Sequence, residues 1–184
     1  MVSYGFLEDK LIKIMIRKIV YLPDPVLRQV AKDVTEFNDE LQILIDDMFE
    51  TMYAAKGVGL AAPQIGISLQ LSVVDVVGDK KNQFVIINPK ITQSEGTSKY
   101  QEGCLSVPGV YDTVKRATKV TVAALDRHGK PFEITADGLL GECFQHEIDH
   151  LNGKLFIDLL SPLKRSMARR KLEKFKRVQA KSPS

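Results

Sequence analysis

Leu41, Leu44, Ile45, Met48 and Met52 return at intervals of three and four residues, the spacing of one face of an α-helix. Asn38 stands where an N-cap belongs, and Gly57 follows where a left-handed C′ residue would end the helix. Ahead of it, Pro23-Asp24-Pro25 opens a short helix through about Ala31, with Pro25 in a first turn that does not need its N–H. The middle of the chain changes period. The runs 69–76 and 83–87 are short and rich in branched residues, as strands are. Residues 119–125 alternate, turn through Asp126-Arg127-His128-Gly129 and continue as 132–135, which predicts a hairpin with His128 exposed in its turn. A helix then runs from about Asp137 to Leu151, stopped by Asn152-Gly153, and Ser161-Pro162 caps a last helix to about Ala180.

Composition narrows the class. With 184 residues, 44% of them hydrophobic, the chain reads as a single domain over residues 1–184 that buries its core without staples. Its two cysteines make no disulfide framework and suit a reducing cytosol in which a thiol stays free for metal. No apolar run is long enough to span a bilayer, so no membrane partner is expected. Residues 1–14 carry the short apolar stretch Leu11 to Met15, broken by Lys13. It lacks the marks of a signal peptide, and it is either an extension ahead of a start at Met15 or an authentic amphipathic segment. The net charge of +3 is uneven: from residue 161 to 184, nine lysines and arginines face Glu173 alone, so the rest of the chain is net acidic. A basic terminal helix on an acidic body points to a polyanion or an acidic surface, against the plainer reading of a solvated, solubilising helix.

Three segments carry candidate chemistry. In Gln145-His146-Glu147-Ile148-Asp149-His150, two of the chain's three histidines stand four apart on one helix face with Glu147 beside them. That is the His-Glu-x-x-His pattern of metal-dependent hydrolases, although a solvated face with two chance histidines would look the same. Catalytic metal sites keep about three protein ligands and one open position. Cys104, in Glu102-Gly103-Cys104-Leu105-Ser106-Val107-Pro108-Gly109, is the candidate third ligand on an exposed turn. Its competing reading is an ordinary buried cysteine, as Cys143 is in its apolar run. Gly57-Val58-Gly59-Leu60-Ala61-Ala62-Pro63-Gln64 offers close backbone approach and a side-chain amide, or simply a glycine-rich helix exit.

Together these segments resemble the signature motifs of the peptide deformylase family, Gly-x-Gly-Leu-Ala-Ala-x-Gln, Glu-Gly-Cys-Leu-Ser and Gln-His-Glu-x-Asp-His, complete and in the family's order. The likeness runs from about Met15 to the end of the basic helix and is to the compact bacterial form. It implies an α+β fold, with mostly antiparallel sheets around a central metal-binding helix and a C-terminal helix. It implies Cys104, His146 and His150 as ligands of one divalent metal ion, usually Fe(II), with zinc, nickel or cobalt also suited to the set. The implied substrates are N-formylmethionyl ends of nascent peptides, and the products are formate and a free N-terminal methionine. Glu147 would act as general base and then acid, with the Gln64 amide and the Leu105 N–H stabilising the oxyanion. Val58, Leu139 and Cys143 would line the methionine slot, with Gly59 and Gly103 also binding substrate. Glu142 departs from the apolar residue common in the family. Either its carboxylate points to solvent at the rim, which is favoured because burying it unpaired is costly, or the pocket is more polar than usual. Glu102 and Arg116 are expected to pair and hold the Cys104 turn. The resemblance also implies a cytoplasmic location and docking of the basic helix on the ribosome near its exit tunnel.

Two rival classes remain at this level. A zinc peptidase shares His-Glu-x-x-His but usually recruits a third histidine or glutamate rather than a cysteine. An RNA-binding module built on structural zinc would want a fourth protein ligand. Cleavage of an internal peptide bond would mark the first, and salt-sensitive RNA binding without hydrolysis the second.

Overall fold

The computed structural model describes residues 14–179. The expectations for Met1 to Lys13, and for Ala180 and Lys181 of the tail, lie outside the described residues. Three helices and seven strands follow in the order α1 (Asp39–Ala54), β1 (Gly59–Ala61), β2 (Leu71–Val74), β3 (Phe84–Glu95), β4 (Ser98–Gly103), β5 (Tyr111–Arg116), β6 (Lys119–Leu125), β7 (Pro131–Asp137), α2 (Gly138–Leu151) and α3 (Pro162–Gln179). Five strands form one antiparallel sheet in the order β1-β2-β3-β6-β7, and β4 pairs with β5 in a separate antiparallel ribbon. The fold is α+β with antiparallel sheets and a C-terminal helix.

Each helix buries the stripe its sequence carries. Ile45, Met48 and Met52 of α1 lie against Leu60, Leu71, Val73 and Ile87 of the sheet. Phe144 and Ile148 of α2 lie against Val74, Ile86, Val120 and Val122. Ala168 and Leu172 of α3 close a third cluster over Leu27, Val107, Val114 and Phe156. Full burial of each large apolar side chain stabilises the fold by about 1.5–3 kcal/mol. With Phe144 and Ile148 on the sheet, the adjoining face of α2 is turned toward the β4–β5 ribbon, and that face carries the chemistry.

Two local expectations need correction. The segment opened by Pro25 is one 3-10 turn, Pro25–Arg28, rather than a helix to Ala31. The chain leaves it because tertiary partners claim the backbone: the Ala31 N–H donates to the Leu151 carbonyl at 2.9 Å, and Lys32 bridges Leu69. Gly57 is not the C′ residue of α1. Lys56 takes the left-handed conformation at φ +56°. The Lys56 N–H then donates to Tyr53 and the Gly57 N–H to Met52, closing a Schellman motif. Gly57 instead packs under Leu105, whose Cδ1 would stand 2.9 Å from a Cβ placed there and would have to shift. The strand expected over 83–87 also runs on to Glu95, while that over 69–76 narrows to Leu71–Val74.

Candidate active site

Gln145 fixes the rotation of α2. Its Nε2 donates to the carbonyls of Ala117 (3.1 Å) and Gly141 (2.9 Å), and its Oε1 accepts from the Ala117 N–H (3.0 Å), between β5 and β6. His146 and His150 then share one side of the helix, with their Nε2 atoms 3.2 Å apart. Cys104 follows β4 directly, and its Sγ lies 3.2 Å from His150 Nε2. All three donor atoms fall within 4.8 Å of one another. A tetrahedral metal with bonds of about 2.0–2.1 Å to nitrogen and 2.3 Å to sulfur keeps its ligand atoms roughly 3.3–3.6 Å apart. One thiol and two imidazoles at nearly that spacing fit a divalent cation and leave a fourth position open. Cys104 is half-buried rather than on a freely exposed turn.

A buried charge network holds the first histidine. His146 Nδ1 is 2.8 Å from Glu102 Oε2, so its Nε2 is the nitrogen left for a metal. Arg116 donates through Nε to Glu102 Oε1 (2.7 Å) and through Nη2 to Oε2 (3.1 Å), and through Nη1 to Asp149 on α2. The expected Glu102–Arg116 pair therefore exists, with both side chains buried. Burial pushes the Glu102 carboxyl up, but His146 and Arg116 together hold it below the usual range. Sequence reasoning did not assign Asp149, although it sits within the Gln145–His150 motif.

Glu147 is buried, and its Oε2 touches no hydrogen-bond partner among the described residues. Burial pushes its carboxyl up to about 7; His146 and Arg116 oppose this and Glu102 adds to it. Gly59 presses on it from β1, where a Cβ would lie 2.4 Å from Glu147 Oε1 and 2.7 Å from Cys143 Sγ. Gln64 is oriented from both ends. Its Oε1 accepts from the Ala61 N–H at 2.8 Å, so its Nε2 faces Cys104 Sγ (3.7 Å) and Ser106 Oγ (3.4 Å). The Leu105 N–H beside Cys104 makes no hydrogen bond among the described residues.

These groups open into one cavity of about 500 Å³ that brings together Val58, Gly59, Gln64, Gly103, Cys104, Leu105, Leu139, Cys143, His146 and Glu147. His150 closes the metal cluster from below, fully buried. Val58 and Leu139 are 40% and 51% exposed, so they stand at the mouth, while Cys143 is in the wall. Burial, with Glu147 and Glu142 nearby, pushes the Cys143 thiol up, which marks it as an uncharged wall group. Glu142 is among the residues that line this cavity, and its carboxylate oxygens are not closed off from solvent. It is half-buried in the cavity wall, where burial, and then Glu102, push its carboxyl up.

The polypeptide deformylase family profile matches residues 16–166. The chain is similar to a solved peptide deformylase from Legionella pneumophila, at 71% identity over 91% of this chain and 99% of that one, with a TM-score of 0.89. It is also similar to one from Synechococcus elongatus solved in complex with actinonin (48% identity; 84% and 86% covered; TM-score 0.81). A third likeness is to the Thermus thermophilus enzyme (42% identity; 88% and 98% covered; TM-score 0.80).

Proposed function

The chain belongs to the polypeptide deformylase family, and from that premise we propose how its own residues divide the work. The reaction is the metal-dependent hydrolysis of the formyl group from the N-terminus of newly made polypeptides. Cys104, His146 and His150 would hold a divalent metal, whose Lewis acidity would make a water nucleophilic near neutral pH. Fe(II) is the metal proposed for the cell, with zinc, nickel and cobalt as alternatives that the same donors accept.

Glu147 takes the proton from the attacking water and returns it to the departing amine. Two features support this: a carboxylate oxygen without a partner among the described residues, and burial that keeps its affinity for protons near neutrality. The oxyanion that develops on the formyl oxygen is met by Gln64 Nε2 and the Leu105 N–H. The first is aimed by the Ala61 contact, and the second is unspent on the protein. Val58, Leu139 and Cys143 line the slot for the methionine side chain, and Gly59 and Gly103 border the same cavity as further substrate-binding positions.

No helix among the described residues is long and apolar enough to cross a membrane. A cytoplasmic enzyme that meets chains leaving the ribosome, docked through α3, is the setting proposed for this activity. The observation that carries the functional reading is the convergence of Cys104, His146 and His150 next to the buried, unpartnered Glu147.

The test is formate release from formyl-Met-Ala-Ser by protein purified anaerobically and loaded with Fe(II) or Ni(II). Metal-dependent release without cleavage of the peptide is expected, and addition of actinonin, the molecule held by the Synechococcus relative, should stop it. Cleavage of the Met-Ala bond, or a loaded metal with no formate, would overturn the reading.

A further inference from the structure

The cavity carries a carboxylate that the roles above do not use. Glu142 lies on α2 one turn ahead of His146, half-buried in the wall. It makes no hydrogen bond or ion pair among the described residues. Glu102, by contrast, is occupied by Arg116 and His146. An unpaired, partly desolvated carboxylate is costly unless a partner arrives to meet it. The same cavity is lined by a second unused group. Tyr111, the first residue of β5, pairs with Gly103 in register. Its ring lies so close that a Cβ on Gly103 would be 2.5 Å from Cε1. With its ring held there, Tyr111 remains 67% exposed at the cavity.

From these two groups, and resting on the deformylase reading, we infer that Glu142 and Tyr111 select nascent chains with a lysine or arginine immediately after the formyl-methionine. A carboxylate attracts a cation by charge, and an aromatic face attracts the same cation through its quadrupole. Neither favours an acidic side chain. The residue after methionine lies one backbone step, about 3.3 Å, farther out than the side chain in the slot. A long cationic side chain from there can fold back toward the wall while its stem covers the apolar rim of Val58 and Leu139. Lys56, the only lysine or arginine lining the cavity among the described residues, enters from the loop after α1 and is not paired with Glu142.

The experiment compares kcat/KM of the metal-loaded protein on formyl-Met-Lys-Ser, formyl-Met-Gln-Ser and formyl-Met-Glu-Ser. The expected order is Lys over Gln over Glu, with about a five- to tenfold spread from first to last that shrinks with added salt and resides mainly in KM. E142Q should compress the spread to about twofold, and Y111L should reduce it by a smaller factor. An unchanged spread in E142Q, or no spread in the parent protein, would overturn the selector while leaving deformylation intact. No formate from any of the three peptides would instead overturn the reading on which the selector rests.

Discussion

Glu147 is placed by exclusion rather than by hydrogen bonds. Gly59 on β1 leaves just enough room for its carboxylate beside the Cys143 thiol. Two predictions separate its chemistry from its position. Glu147→Gln keeps the shape and removes the base. Metal content measured by elemental analysis should stay at the parent level while formate release falls by about 10²–10⁴. A variant that deformylates at the parent rate would remove Glu147 from the mechanism. Gly59→Ala leaves the base but drives a methyl group into it and into Cys143 Sγ. The carboxylate must move by about an ångström, a displacement that costs on the order of 10²-fold in rate. Overpacking should cost about 1–3 kcal/mol in a denaturant melt. An alanine variant with parent kinetics would mean that Glu147 has other positions from which it works.

The next scale joins elements. The β4–β5 ribbon and α2 are tied at the site by Arg116, which reaches Glu102 on β4 and Asp149 on α2, and by Glu102 on His146. Arg116→Met should therefore leave Asp149 without its partner and Glu102 with His146 alone, and removing one partner of a buried pair costs about 3–5 kcal/mol. It should also weaken metal retention by about 10–100-fold through the loosened His146, as read by chelator competition. Loss of stability with unchanged metal affinity would make the network purely structural. A second prediction concerns the turn after β2. Asp75 is buried there and accepts from Tyr53 Oη (2.7 Å) and from the N–H groups of Val77 (3.2 Å), Gly78 (2.8 Å) and Lys80 (3.1 Å). Burial alone would raise its pKa, but these donors together hold it below the ordinary 3.8. A carboxyl with a lowered folded value stabilises fully above its unfolded value, and that contribution drains away as pH falls through the folded one. The stability gap between parent and Asp75→Asn should thus be flat above about pH 5 and close below about pH 4. A gap that persists into stronger acid would assign the effect to shape rather than charge.

The same elements show what the sequence could reveal. The stripe of α1 and the alternation of β6 were legible because each buries an apolar face, and α2 was legible through its motif and the Asn152-Gly153 stop. The ribbon was not legible, because the residues that β4 and β5 bury are Glu102, Val114 and Arg116, two of them charged, so no hydrophobic period marks them. The three motifs gave the site because its chemistry is concentrated in short runs, whereas the Tyr111–Gly103 contact depends on a strand register that no local pattern encodes.

At the scale of the whole molecule, charge is segregated. The chain's net charge is +3, yet nine of its cations lie beyond residue 160 against one acid there. On α3, Ala168 and Leu172 are in the core and Phe175 is edge-on to Tyr21 at 5.9 Å, while Leu163 and Met167 stay exposed. Arg170, Lys174 and Arg177 are left exposed. Cutting the helix away is therefore a poor test of the proposed ribosome docking, since it would uncover Leu22, Leu27 and Phe156 and confuse lost binding with lost folding. Replacing Arg170, Lys174 and Arg177 with glutamine keeps the buried face and removes only charge. The melting temperature should stay near the parent value, because exposed charges contribute about 0–1 kcal/mol each. If α3 meets ribosomal RNA, affinity for ribosomes should fall, and the slope of log affinity against log salt should flatten by about one per cation removed, roughly three in all. A triple variant that binds ribosomes with the parent slope would show that these cations face water, and that the acidic body and basic helix are a matter of solubility. A flattened slope would place this face of α3 on a polyanion, while the cavity between α2 and the β4–β5 ribbon stays open to the emerging chain.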